Sequence, residues 1–279
     1  MQPQITDILH ALESFAPAAL AEKWDNVGLL VGNRESSVDT VLVALDPTNA
    51  LLDEALSREC DTVITHHPVI FNPLSAIDTG VPSGQLLQKA LSHSINIIGC
   101  HTNLDSAVDG VNDVLAHGLG LVNLMPLQPA TAENEENRGL GRIGNYPAPI
   151  SRAEFLQRLH DFLHLETVSL AGTLPQQIHR VALCGGSGSE FAPLARRRGA
   201  DVYLSAEIKH STAIWANECG FAVIDGGHYA TEKPAASHLA EKLRHIAEQK
   251  KWRITILLSE TEKAPFVSVD TLTSIPKKP

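Results

Sequence analysis

The sequence predicts an α/β fold made of two related three-layer domains, and three observations carry that reading. Compact β-branched runs alternate with stretches of helical periodicity, as in "TVLVALD" (40–46), "NALLDEALSREC" (49–60) and "DTVIT" (61–65). That is the pattern of strand, helix and parallel strand. The pattern restarts in "HRVALCGGSGSEFAPLARRRGADVYLS" (179–205), and a shift of 140 positions lays Val41 on Val181, Asp61 on Asp201 and Ile64 on Leu204 without a gap. Each unit then runs into a further helix and strand, which points to an internal duplication.

Taken in order, the chain begins with "MQPQITDILHALESFAP", which reads as an amphipathic helix. It lacks the basic and then continuously apolar stretches of a signal peptide, so a cytoplasmic location is expected. After the first strand-helix-strand unit, "SGQLLQKALSHS" (83–94) predicts a helix and "INIIGC" (95–100) a strand, extending a largely parallel sheet. The turn formers and acidic cluster of "LQPATAENEENRGLGRIG" (127–144) read as a connection or exposed excursion. In the second half "FAVIDGG" (221–227) is the third strand. The closing helix (233–250) and strand (253–259) are expected to pack back on the first half. This places residues 1–126 with 233–279 in a first domain and 127–232 in a second.

Composition narrows the function. An apolar share of 43% and a charged share of 19% are ordinary for a globular protein. No apolar run reaches the roughly 20 residues that span a bilayer, so no membrane role is expected. A net charge of −10 argues against nucleic acid as partner, since that depends on clustered Lys and Arg. The "ARRRGA" patch (195–200) does not reverse it. Cys60, Cys100, Cys184 and Cys219 form no C-x-x-C pair, and read as reduced, buried thiols rather than a disulfide framework or a zinc site.

Chemistry concentrates at strand ends. "DTVITHHP" places His66 and His67 directly after one strand. The third strands of the two halves are followed by "CHTNLD" (100–105) and "GHYATE" (227–232), each with a histidine and, four residues later, a carboxylate. Positions i and i+4 share a helix face, so His228 with Glu232, and His101 with Asp105, can aim at common centres. Open α/β sheets hold ligands at these carboxyl ends. A single H-x-x-x-E arises often by chance, and a lone strand-end histidine is more often hydrogen-bonded than metallated; the coincidence in both halves is what raises the metal reading. Imidazole and carboxylate without thiolate suit Zn, Mn, Fe or Ni. Six candidate donors suit two divalent ions better than one, with Glu232 or Asp105 as bridge. His66 and His67, diverging along the strand, would then reach different ions.

Two other motifs carry less. "CGGSGSE" (184–190) lacks the ending of a P-loop and the third glycine of a dinucleotide fingerprint, and reads as a tight structural turn. "KWDNVGLLVG" (23–32) puts Trp24 and Asp25 at a pocket border or in a plain helix-to-strand turn.

With "WDNVGLLVG", "THHP", "CHTNLD", "GLGRIG", "LCGGSGSE" and "GHYATE" in this order, the chain resembles the Nif-three-like family of dinuclear metal proteins, also described as GTP cyclohydrolase I type 2 homologues. The resemblance covers nearly the whole chain. It implies His66, His67, Asp105, His228 and Glu232 as metal ligands, with Glu232 bridging, and His101 beside them as an extra ligand or proton carrier. It further implies a metal site in the interdomain cleft and a toroidal homohexamer. Where many relatives carry a Thr-Gly-Asp/Glu turn, this chain has Ser205, Ala206 and Glu207, which leaves the role of that turn open. Only a short stretch separates the two halves, without the long inserted domain of some relatives. The function expected is metal-dependent hydrolysis of a small molecule, a nucleotide or purine ring by the resemblance, with His101 moving protons. The rival is a non-enzymatic metal store, sensor or ring-shaped binding protein.

Overall fold

The alternation of apolar residues along the short strands builds two sheets, each buried on both faces. The computed structural model describes residues 1–130 and 137–267. The first half runs α1 (Ile5–Glu13), β1 (Gly28–Val31), β2 (Thr40–Ala44), α2 (Asn49–Ser57), β3 (Thr62–Thr65), α3 (Pro82–Ser92), β4 (Asn96–Gly99), α4 (Thr102–Ser106) and α5 (Val111–Gly118). The second runs β5 (Val122–Pro129), β6 (Gly139–Ser151), α6 (Arg152–Leu163), β7 (Ser169–Ala171), β8 (Gln177–Ser187), α7 (Ala192–Arg197), β9 (Val202–Ala206), α8 (His210–Cys219) and β10 (Ala222–Asp225). A long helix, α9 (His228–Gln249), and β11 (Thr255–Leu258) close the described chain. Among the described residues no helix is long and apolar enough to cross a membrane.

The first sheet has the order β1-β4-β3-β2-β11 and the second β5-β6-β8-β9-β10-β7. On one face of the first sheet Val41, Val43, Ile64 and Ile98 pack with α1 and α9; on the other Leu42, Ala44, Val63 and Ile97 pack with α2 and α3. The second sheet repeats this. Val181, Leu183, Val202 and Leu204 meet α5 and α6, while Ala182, Cys184, Tyr203 and Val223 meet α7 and α8. Strands covered on both faces are expected to be mainly apolar, as the central β2, β3, β4 and β9 are.

The two halves match at the level of single hydrogen bonds. Val41 pairs with Thr62 and Val43 with Ile64; 140 positions on, Val181 pairs with Val202 and Leu183 with Leu204. The Asp61 carboxylate accepts the N–H groups of Asp39 and Thr40, and the Asp201 carboxylate accepts those of His179 and Arg180. Each third strand carries an antiparallel edge strand, β1 on β4 and β7 on β10. The halves differ beyond the first strand, where β11 lies parallel to β2 but β6 antiparallel to β8.

Two expectations change. The stretch read as an excursion at 127–144 is largely β-structure, β5 and β6 pairing from Val122 on Asn145 to Pro129 on Gly139. Its acidic cluster, at 133–136, lies outside the described residues. The closing helix also starts five residues earlier than the periodicity suggests, because His228–Glu232 is already helical. Its Ala230 packs on the second core, whereas Ala235, Leu239, Ala240 and Leu243 belong to the first. One rod therefore serves both halves, and Pro234, which removes an internal hydrogen bond, falls near the changeover.

Candidate metal centre

The carboxyl ends of β2, β3, β4, β9 and β10 and the start of α9 bring together the polar side chains singled out above. His66 and His67 lie just past the last residue of β3. Their backbone stays tied to the neighbouring strand through His66 N–H to the Ala44 carbonyl and His67 N–H to that of Leu45. Strict strand alternation no longer applies there, so the two rings share one space, centroids 5.1 Å apart, rather than pointing to opposite faces. They still address different atoms. His66 Nε2 lies 3.8 Å from Glu232 Oε1, and His67 Nε2 lies 3.2 Å from Glu232 Oε2.

His228 and Glu232 sit one turn apart on α9 with Nε2 and Oε2 2.9 Å from each other. Asp105, on α4, places Oδ1 3.6 Å from His66 Nε2. His101 stands next to these, its ring centroid 5.1 Å from that of His66 and 5.6 Å from that of His67. Three triads result: His66 with Asp105 and Glu232, His67 with His228 and Glu232, and His66 with His67 and His101. The donor atoms within each lie within 4.8 Å of one another. Such a cluster can hold a metal ion, and Glu232 is common to two of the triads.

The orientation of the rings shows which nitrogen each offers. All four Nδ1 atoms are engaged: His66 with the Cys100 carbonyl at 2.9 Å, His67 with Asp46 at 2.7 Å, His101 with Asp25 at 2.8 Å and His228 with Glu207 at 2.9 Å. Each partner is an acceptor, so each Nδ1 donates and each Nε2 keeps its lone pair for the centre. The Nε2 atoms of His67 and His228 face each other across only 3.2 Å. Buried His66 Nε2 and Asp105 Oδ1 have no hydrogen-bond partner, and the only groups facing Glu232 Oε2 are the Nε2 atoms of His228 and His67. Such a crowd of ring nitrogens and carboxylate oxygens is held together either by protons on the rings or by a bound cation, and nitrogen and oxygen donors without thiolate fit a divalent transition metal or zinc.

The electrostatics agree. Burial works against charge on His67, but its bonds to Asp46 and Glu232 hold its pKa up to about 10. Glu232, opposed by burial, raises His228 to about 9. Burial disfavours ionisation of Glu232 itself, yet the three surrounding imidazoles keep it well below the usual carboxylate range. Asp105 is pushed up, chiefly by burial. Asp25 also pays for burial but is drawn down to about 2 by His101 and Thr102.

The structure brings together the side chains singled out in the sequence and adds supports that no motif signalled. Asp46 follows β2 in "VALDP", a strand-end acid with no motif around it. Glu207 settles the open turn: it adopts a left-handed φ of 52° and holds His228. Asp25 has a defined place, its carboxylate fully buried and bonded to His101 and to the Thr102 N–H. The glycine-rich stretch read as a tight turn is in large part the end of β8, which runs to Ser187, and it is the floor of the centre. A Cβ on Gly186, whose φ is 64°, would stand 2.0 Å from Glu232 Oε1. Gly186 N–H also donates to Thr231 Oγ1. Cys184 in that turn is buried, and burial raises its pKa well above the ordinary value, so it stays a neutral thiol.

Paired α/β halves whose strand ends converge on imidazoles and carboxylates able to hold a metal ion define the class of protein. The chain belongs to the Duf34/NIF3 (NGG1p interacting factor 3) family, whose model matches residues 3–265. It is 34% identical over 266 residues to a Clostridium acetobutylicum protein named GTP cyclohydrolase 1 type 2 homolog, covering 95% of this chain and 99% of that one. The fold is similar to the crystal structure of a Bacillus cereus protein related to NIF3, with a TM-score of 0.90 and 25% identity over 96% of this chain and all of that one. A Staphylococcus aureus protein of known structure gives a TM-score of 0.88 at 29% identity, over 96% of this chain and 99% of the other.

Proposed function

We propose that the chain is a metal-dependent hydrolase with two divalent ions, held by His66, His67, Asp105, His228 and Glu232 and bridged by Glu232. The observation that supports this most directly is the set of four rings with Nδ1 engaged and Nε2 turned inward around the buried Asp105 and Glu232 carboxylates. Zn, Fe, Mn and Ni all suit the donors. When bound, such a pair acidifies a water and polarises a substrate oxygen or imine nitrogen.

The remaining work falls to this chain's side chains. Asp46 and Glu207 keep the His67 and His228 rings aimed. His101, fixed by Asp25 with Nε2 toward the cluster, carries protons between water and leaving group. Trp24 and Phe71 flank the His101 ring, with centroids 6.2 Å away in both cases. The relatives' name, GTP cyclohydrolase 1 type 2 homolog, suggests hydrolytic opening of a purine ring or attack on a nucleotide as the reaction.

We also propose a cytoplasmic homohexamer. The free thiols suit a reducing compartment, and exposed Phe71, Leu74, Ile77 and Val81 offer apolar surface for self-association. Light scattering should then report six copies of the 30.1 kDa chain.

Protein purified without chelator should carry about two ions per chain, counted by elemental analysis and located by anomalous diffraction. His101→Ala should abolish turnover of GTP, phosphoester or peptide substrates while both ions stay. Ready ion exchange with no turnover of any of these, in the parent or in His101→Ala, would instead favour a metal store or sensor.

A further inference from the structure

A cavity of about 710 Å³ adjoins the candidate centre and is bordered by His67 and His228 themselves. Its size suits an organic ligand, since such sites run from about 300 to 1,000 Å³. Phe162, Leu163, Leu165, Tyr229 and Pro234 make an apolar and aromatic wall. The charged lining is lopsided: three carboxylates, Asp46, Glu207 and Asp225, against Lys233 as the lone Lys or Arg among the described lining residues.

Lys233 is already committed. Its ammonium pairs with Glu262, whose other carboxylate oxygen accepts the N–H groups of Leu45 and Asp46. It also lies 6.0 Å from the centroid of the Tyr229 ring. Away from the metal centre itself, a polyphosphate entering here would therefore meet three acids and no unpaired lysine or arginine among the described lining residues. A flat ring bearing N–H groups would meet the opposite situation, with apolar surface for its faces and carboxylate oxygens to accept its edge. Glu207 uses Oε1 for His228 and leaves its second oxygen available.

We propose that this cavity holds the body of the substrate, and that the substrate is a phosphate-free planar nitrogen heterocycle of purine size, its N–H edge on Glu207. The assignment rests on the hydrolase reading and narrows it from nucleotides to ring compounds that carry no phosphate.

The test is calorimetric titration of metal-loaded protein with guanosine and with GTP, metal content being measured before and after. Guanosine should bind at least about tenfold more tightly than GTP. Tyr229→Ala should weaken guanosine by about tenfold with ion content and melting temperature unchanged, and Leu165→Arg, which adds a free cation to the wall, should strengthen GTP by a similar factor. Equal or tighter binding of GTP by the parent protein, no binding of guanosine, or indifference of guanosine to Tyr229→Ala would each overturn the proposal. The two readings separate cleanly. Selective guanosine binding without turnover of any substrate removes the hydrolase and keeps the cavity assignment, whereas turnover of another substrate without guanosine binding does the reverse.

Discussion

His67 shows how much of the centre's chemistry depends on a residue that is not a donor. Its ring is aimed by Asp46, and Asp46 is placed by Glu262, which accepts the Asp46 N–H. Asp46→Ala should lower metal affinity by about 10–100-fold, the usual effect of losing such a support, with little change in fold. Competition against a chromogenic chelator measures it. Gly186→Ala should be worse for stability. The new methyl meets Glu232 Oε1 at 2.0 Å in a left-handed backbone, so a loss of about 1–3 kcal/mol in urea unfolding and a drop in bound metal are expected together. At this scale the candidate donors were legible because a histidine and a carboxylate recur at i, i+4 spacing after corresponding strands of the two halves. Asp46 was not, because an acid after a strand is common, and only the fold shows which ring it touches.

Among the elements, the contact of α5 with β6 carries a buried ion pair. Arg142, 1% exposed, donates to both oxygens of Asp113 and to the carbonyls of Ala107, Gly139 and Gly141. Ala107 caps α4, the helix that carries Asp105, so the pair anchors one donor segment to the second sheet. Arg142→Ala leaves the buried Asp113 carboxylate without its counter-charge, with only the Asp109 N–H still donating to it, and should cost about 3–5 kcal/mol in chemical denaturation. The strands β2, β3, β4, β8 and β9 could be read directly from their apolar runs. β5 and β6 could not, because Asn, Pro and Gly mask their pairing, and turn residues inside a paired strand look like a loop until the partner strand is seen. The early start of α9 was hidden by "GGHYATE", where a glycine N-cap precedes the donors.

For the whole molecule, metal and proton compete for the same lone pairs. Without metal, His67 and His228 hold protons to about pH 10 and 9. Raised values mean that these rings stabilise the metal-free fold fully below about 6.5 and lose that contribution as pH climbs through 9 to 10. Loading metal at pH 7 should therefore release protons, fewer as pH rises, with apparent affinity increasing over the same range. Calorimetry in buffers of different ionisation heat reads the proton count directly; uptake rather than release would contradict the ring assignments. The duplication itself was legible from the 140-residue shift alone, while the matching Asp61 and Asp201 clamps needed the structure.

The continuity of α9 gives the molecule a mechanical property. Glu232 is seven positions from Leu239, about 10 Å along one rod, and Leu239 is seated in the core of the opposite half. Repacking around Leu239 is therefore felt as a shift of the carboxylate. The first half works as the bearing in which the second half's donor is mounted, so the alignment of the centre is set as much by hydrophobic packing at a distance as by the polar groups that touch it.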